Sequence, residues 1–146
     1  MKSSNNRFSG LVVLTFIAAI LFAFGCEHFE SETVVEPDPG EGWNSFNYIQ
    51  TEIFDVSCAT SGCHLGASAP HGLNLAEGQS YDLLINVASV LDNTRDRVTP
   101  GDPDNSMVVR LVEGLSTPQM PFFADPISEA LQDSLRQWVA DGALQE

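Results

Sequence analysis

Two of the chain's three cysteines and one of its three histidines fall within seven residues: Cys58, four residues, Cys63, then His64 directly after. Three chemistries use such a cluster. Covalent haem attachment needs two thiols to reach the porphyrin vinyl groups and a neutral imidazole to reach the iron, and a histidine immediately after the second cysteine meets that need. The usual spacing is two intervening residues; here there are four, and Ser61-Gly62 has the freedom to bulge. A Cys58–Cys63 disulfide is the plain alternative, since exported cysteine pairs commonly bridge. A zinc knuckle needs four ligands, yet only His28 and His71 remain as further imidazoles and no second cysteine pair exists. On the motif alone, haem and disulfide are evenly matched and zinc trails.

A haem iron held by His64 needs a ligand on its other face or an open position. Met120 lies in Thr117-Pro118-Gln119-Met120-Pro121, a proline-framed loop in which Pro121 favours an extended backbone at Met120. Its thioether is a soft, neutral ligand suited to haem iron. Met107, beside Val108 and Val109, reads better as core filler. His71 follows His64 by only seven residues in a Gly/Pro-containing loop, so the intervening chain would have to wrap round the ring edge. Arg95, Arg97 and Arg110 are candidate partners for the propionates, although each has an acid nearby in sequence: Asp92, Asp96 or Asp104. No pattern for a catalytic acid, base or nucleophile accompanies the cluster.

The elements around these residues set their context. Lys2 and Arg7 precede a nearly continuous apolar run from Phe8 to Phe24 that ends at Gly25-Cys26. That is the architecture of a secretory signal, with residues 1–25 removed on export. Ala23-Phe24-Gly25-Cys26 resembles a bacterial lipobox, which implies lipid attachment at Cys26; ordinary secretion and an uncleaved anchor are the alternatives. Among six cationic residues only Lys2 and Arg7 would be lost, and no acid, so four arginines face 20 Asp plus Glu, a formal charge of −16 against −14 for the whole chain. Nucleic acid and anionic membrane surfaces are poor partners for such a chain. With Cys26 lipidated, Cys58 and Cys63 are the remaining thiols, and outside the cytoplasm they must be bridged, metallated or bonded to a cofactor.

Residues 26–44 are rich in acids, proline and glycine without apolar periodicity, and read as a tether. From Ser45 the spacing turns helical. Phe46, Ile49, Ile53 and Val56 predict one amphipathic helix running into Cys58, and Leu83, Leu84, Val87 and Leu91 predict a second over 81–91. Asp102 as N-cap with Pro103 at the first position opens a third, its stripe Val108, Leu111, Val112 and Leu115. Ser128 caps the last, which buries Leu131, Leu135, Trp138 and Val139 before Gly142. No run alternates with period two, so the domain at 45–146 is expected to be all-α. Four short helices in about 100 residues make a thin core, which favours a staple or a large apolar cofactor.

Several separated segments, in order, resemble a known family. They are Cys58…Cys63-His64, Gly72-Leu73-Asn74-Leu75, Pro100-Gly101-Asp102-Pro103-Asp104-Asn105-Ser106, Gln119-Met120-Pro121, and Trp138-Val139 with Gly142-Ala143. Over residues 45–146 the chain is similar to small class I c-type cytochromes, including the planctomycete-type cytochromes. The resemblance implies one covalent haem c on Cys58 and Cys63, with His64 proximal and Met120 distal. It also implies a fold whose first and last helices cross and pack. His/Met ligation favours electron transfer over oxygen chemistry. The expected protein is a membrane-tethered electron carrier of the cell envelope, without substrate turnover of its own. Its redox partner would present a basic docking patch to the acidic surface. The rivals are a haem-free exported helical lipoprotein, serving as a binding or scaffold module stapled by Cys58–Cys63, and a five-coordinate haem enzyme or gas sensor. The anchor is directly testable: expressed in a bacterial host, the full chain should partition with membranes, and Cys26→Ser should release it to the soluble fraction. Unchanged partitioning of the variant would refute lipid attachment at Cys26.

Overall fold

The computed structural model describes residues 42–145; the signal segment, Cys26, His28 and the tether up to residue 41 lie outside the described residues. Within them the chain is helical with no strand, apart from two isolated bridges, Ile85 with Val98 and Ala88 with Asp96. The all-α expectation holds at that level. None of the described helices is long and apolar enough to cross a membrane.

Ser45 opens the first helix, its side chain accepting a hydrogen bond from the Tyr48 amide at 3.2 Å. One turn of α-helix, α1 (Phe46–Tyr48), runs straight into a π-type segment, Ile49–Cys58, in which hydrogen bonds close across five residues. The Ala59 amide continues that pattern onto the Phe54 carbonyl at 2.6 Å. This register corrects the expected stripe. The wider turn brings residues four and five apart to one side, and the buried set is Ile49, Gln50, Ile53 and Phe54. Val56, which ordinary helical spacing puts inside, is 65% exposed.

The second helix, α2 (Ser80–Leu84), is far shorter than expected. Ile85 is extended and Asn86 takes a positive φ of 54°, so the chain leaves the helix and folds back on itself. Asn86 donates to the Val98 carbonyl (2.9 Å), Arg97 to that of Val87 (2.7 Å) and Ser89 to that of Arg95 (2.9 Å). β-Branched Ile85, Val87 and Val90 favour that extended path. Leu91 is consequently exposed, away from the predicted helical face.

Asp102 does cap its segment, accepting from the Asn105 amide, but the turn it caps is a separate 3₁₀ turn, Pro103–Asn105. Buried Ser106 then joins the pieces: its hydroxyl accepts from the Thr99 amide and donates to the Asp102 carbonyl, both at 2.8 Å. The helix α3 (Met107–Val112) comes next, with Met107, Val109 and Val112 buried and Leu115 exposed beyond its end. The last helix, α4 (Glu129–Ala140), is capped by the Ser128 hydroxyl and buries Leu135, Trp138 and Val139 as expected, while Leu131 in its first turn is only half-buried.

The first and last helices pack together as the core. Ile49, Ile53 and Phe54 join Leu135, Trp138 and Val139 in one apolar cluster, and the Phe46 ring lies 5.5 Å from that of Trp138. Trp138 is a core residue, its Nε1 donating to the Leu144 carbonyl (2.9 Å). Arg136 clasps α4 to the third segment through a two-armed contact with Glu113 and a further one to Asp104. The register of the first helix is testable by paired truncation. Ile53→Ala should cost about 2–5 kcal/mol in urea unfolding, whereas Val56→Ala should stay within about 0.5 kcal/mol. Equal losses would restore an ordinary α register.

Candidate functional site

The Cys58–His64 loop leaves the π-type segment at its last residue and closes on itself. The Cys63 amide donates to the Thr60 carbonyl and the His64 amide to that of Cys58, each at 3.0 Å. Gly62 sits at φ +85°, a left-handed conformation that a side chain resists, and so lets the loop turn between the two cysteines. The His64 backbone thereby closes the turn that carries both thiols.

His64 is fixed on both sides by one later segment. Its Nδ1 lies 3.0 Å from the Leu73 carbonyl, and its own carbonyl accepts from the Leu75 amide at 2.8 Å. A carbonyl only accepts, so Nδ1 is the nitrogen that donates here, and in the neutral ring this leaves the lone pair on Nε2. That is the arrangement by which proteins orient a metal-ligating imidazole and raise its basicity. His64 is legible in the sequence beside Cys63, but the part played by the Leu73 carbonyl belongs to the backbone and leaves no side-chain signal.

Cys58, Cys63, His64, His71, Met107 and Met120 all line one cavity of about 520 Å³. Its walls are otherwise mainly apolar, with Ile53, Phe54, Leu73, Leu75 and Leu84 on one part, Val108, Leu111 and Val112 of α3 on another. Such a volume lies within the range of about 300–1,000 Å³ typical of cofactor pockets. Val108 and Leu111 are only half-buried because they face this space, although the sequence places them in a core stripe. All three candidates for the second iron ligand therefore reach the same cavity. Met107 is buried at the start of α3, His71 is exposed in a 3₁₀ turn at φ +57°, and Met120 is half-buried in the loop after α3.

The Met120 loop is fastened to α3 by the Met120 amide, which donates to the Leu111 carbonyl at 2.9 Å. Gly114 lets the chain turn there, at φ +72°, and a Cβ on it would meet the Gln119 amide group at 3.1 Å. After Met120 the chain carries Phe122 and Phe123, ring centroids 3.9 Å apart, at the same cavity; Phe123 is 94% exposed. Nothing in the sequence singles out either phenylalanine, because no periodicity marks a loop.

The arginines separate. Arg97 is buried and lines the cavity, donating to the carbonyls of Leu83 (2.8 Å) and His71 (2.7 Å). It has no carboxylate partner among the described residues, and burial lowers its pKa from the ordinary guanidinium value. A guanidinium nevertheless stays charged at neutral pH. Arg95 pairs with Asp92, and Arg110 donates to Ser116 and to the carbonyls of Asp104 and Leu115; neither lines the cavity.

Cys58 and Cys63 are free thiols, Cys63 exposed and Cys58 half-buried. Burial, with the neighbouring Cys63 adding to it, pushes the Cys58 thiol up to about 12. Cys58 is thus held as a neutral thiol, unsuited to nucleophilic catalysis. No group of three or more His, Cys, Asp or Glu able to hold a metal ion occurs among the described residues; His28, which the zinc alternative would also draw on, lies outside them. Haem asks less of the protein: two thiols, an oriented imidazole, a soft second ligand, apolar walls and a cation for its carboxylates. Residues of each kind converge on this cavity. Comparison with protein-family models, with curated proteins and with solved structures returns no match.

The asymmetry of the two thiols can be read by alkylation of reduced, haem-free protein. Exposed Cys63 should be modified first. With Cys58 at about 12, its thiolate fraction at pH 9 is on the order of 10⁻³, so Cys58 should lag by far. Equal rates by peptide mass mapping would show that Cys58 is not shielded.

Proposed function

We propose that the protein is a monohaem c-type electron carrier, exported and tethered to a membrane through lipid on Cys26. One observation carries the reading: Cys58, Cys63, His64 and Met120, spread over more than sixty residues, line one apolar cavity, and the His64 ring is held through Nδ1 by the Leu73 carbonyl. Haem c, when bound, supplies a one-electron couple. Cys58 and Cys63 supply the thiols for its thioethers, and Gly62 lets the four-residue spacing close beneath them. His64 supplies the proximal nitrogen, whose basicity the Leu73 carbonyl raises through Nδ1–H. Met120, in a loop fastened to α3, would supply a thioether as the second iron ligand, and His/Met ligation would favour electron transfer over oxygen chemistry. Arg97, buried with no acid of its own, offers positive charge to a propionate. Arg95 has Asp92, and Arg110 has its backbone and hydroxyl partners, so the propionate role concentrates on Arg97. The acidic surface would steer a redox partner bearing a basic patch, with association slowing as salt rises.

Maturation with a haem-attachment system followed by visible spectroscopy tests the reading. A low-spin spectrum with haem retained under denaturing conditions is expected. Absence of a Soret band returns the protein to the disulfide-stapled alternative, and a high-spin ferric spectrum without the methionine–iron charge-transfer band returns it to the five-coordinate one. Met120→Ala should lower the midpoint potential markedly. Met107→Ala should mainly cost about 2–5 kcal/mol of stability, as loss of a buried methionine does. The opposite pattern would move the distal ligand to Met107.

A further inference from the structure

Behind the segment that holds His64 stands a buried polar side chain that the haem site itself does not use. Gln50, on the π-type segment, is only 4% exposed, yet each of its polar atoms is engaged. Its Nε2 donates to the Leu75 carbonyl (2.9 Å) and to Asp55 Oδ1 (2.7 Å), and its Oε1 accepts from the Ser80 hydroxyl. The partner Asp55 lies five residues on, brought alongside by the same register that turns Cys58 inward. Burying an amide in an apolar core costs free energy unless every group is satisfied. An apolar residue would fill this position without that requirement.

We propose that Gln50 is a positioning residue for His64. Leu75 is the hinge of the link: its carbonyl is held by Gln50 while its amide holds the His64 carbonyl. Two residues earlier on the same strip of chain, the Leu73 carbonyl receives the His64 Nδ1 proton. Gln50 thus fixes the 73–75 strip against the first helix, and the strip in turn fixes the tautomer and rotation of the imidazole. Ser80, at the head of α2, orients the Gln50 amide from its oxygen side and makes no hydrogen bond to the strip. The inference rests on the reading of His64 as the proximal ligand only for its functional meaning; the positioning itself is a property of the chain.

The test is amide and ring-proton exchange by NMR on the protein as purified, loaded or not, comparing Gln50→Met with Leu135→Ala. Leu135 is a core residue outside the cavity, so its truncation controls for general destabilisation. Gln50→Met should speed exchange of the Leu75 amide and of His64 Nδ1–H at least tenfold relative to the Val139 amide, whereas Leu135→Ala should change all three together. Uniform acceleration in Gln50→Met would overturn the proposal. Should Gln50→Met fail to fold, Gln50→Glu, which keeps an acceptor for Ser80 and loses the amide donors, carries the same comparison. In haem-loaded protein the loosened Nδ1–H contact should also raise the midpoint potential in Gln50→Met and leave it unmoved in Leu135→Ala. A protein without a Soret band removes the electron-carrier reading, while the exchange result still decides the role of Gln50.

Discussion

The i→i+5 register of the first helix governs both how the core packs and where the cysteine loop begins. Bonds closing across five residues place Ile49 with Phe54, Gln50 with Asp55, and Ile53 with Cys58. One face of that helix therefore does two jobs. Ile49, Ile53 and Phe54 pack against Leu135 and Trp138 of α4, and the end of the same face carries Ser57 and Cys58 to the cavity. Wide-register segments concentrate at functional sites because they re-aim side chains that an ordinary helix would send elsewhere. With normal α spacing the stripe would pass through Val56, and Cys58 would lie off the packed face.

The same feature explains how much the sequence could tell. The last helix was legible because every level agreed: Ser128 as cap, apolar residues at helical spacing, Gly142 at the end. Phe46, Ile49 and Ile53 marked the first helix correctly, but periodicity assumes a constant pitch, and the change of pitch after Tyr48 has no signature in residue type. Over 81–91, apolar residues at helical spacing competed with β-branched side chains and with Asn86, which tolerates positive φ; tertiary hydrogen bonds to 95–98 decided the contest. For the site, chemically distinctive side chains that line the cavity, such as His64 and Met120, could be named from sequence. Their supports, the Leu73 and Leu75 backbone and the amide of Gln50, could not, since they depend on which segments the fold brings together.

Charge is distributed with similar economy. A chain with 20 acids and six bases has little positive charge to spare. Arg136 is committed to joining α4 to Glu113 and Asp104, and Arg95 to Asp92. Among the described arginines, Arg97 alone is both buried and turned to the cavity, satisfied by two carbonyls that accept its protons without neutralising its charge. A buried cation without a counter-ion is destabilising on its own. A ligand anion at the cavity would compensate it, an opening that neither Arg95 nor Arg110 offers, since neither lines the cavity.

Shape and chemistry then bear jointly on the choice between haem and a simple disulfide staple. A staple needs the two thiols alone. It gives no reason for His64 to be held from both sides by the 73–75 strip, for Met120 to be fastened to α3 at the same cavity, or for Val108 and Leu111 to face inward yet stay half-buried. Each of those features has a local cost in ordered backbone or unburied apolar surface. A flat apolar cofactor bonded at Cys58 and Cys63 would offset all of them at once, because it would cover the inward-facing aliphatic residues and engage the imidazole and the thioether together.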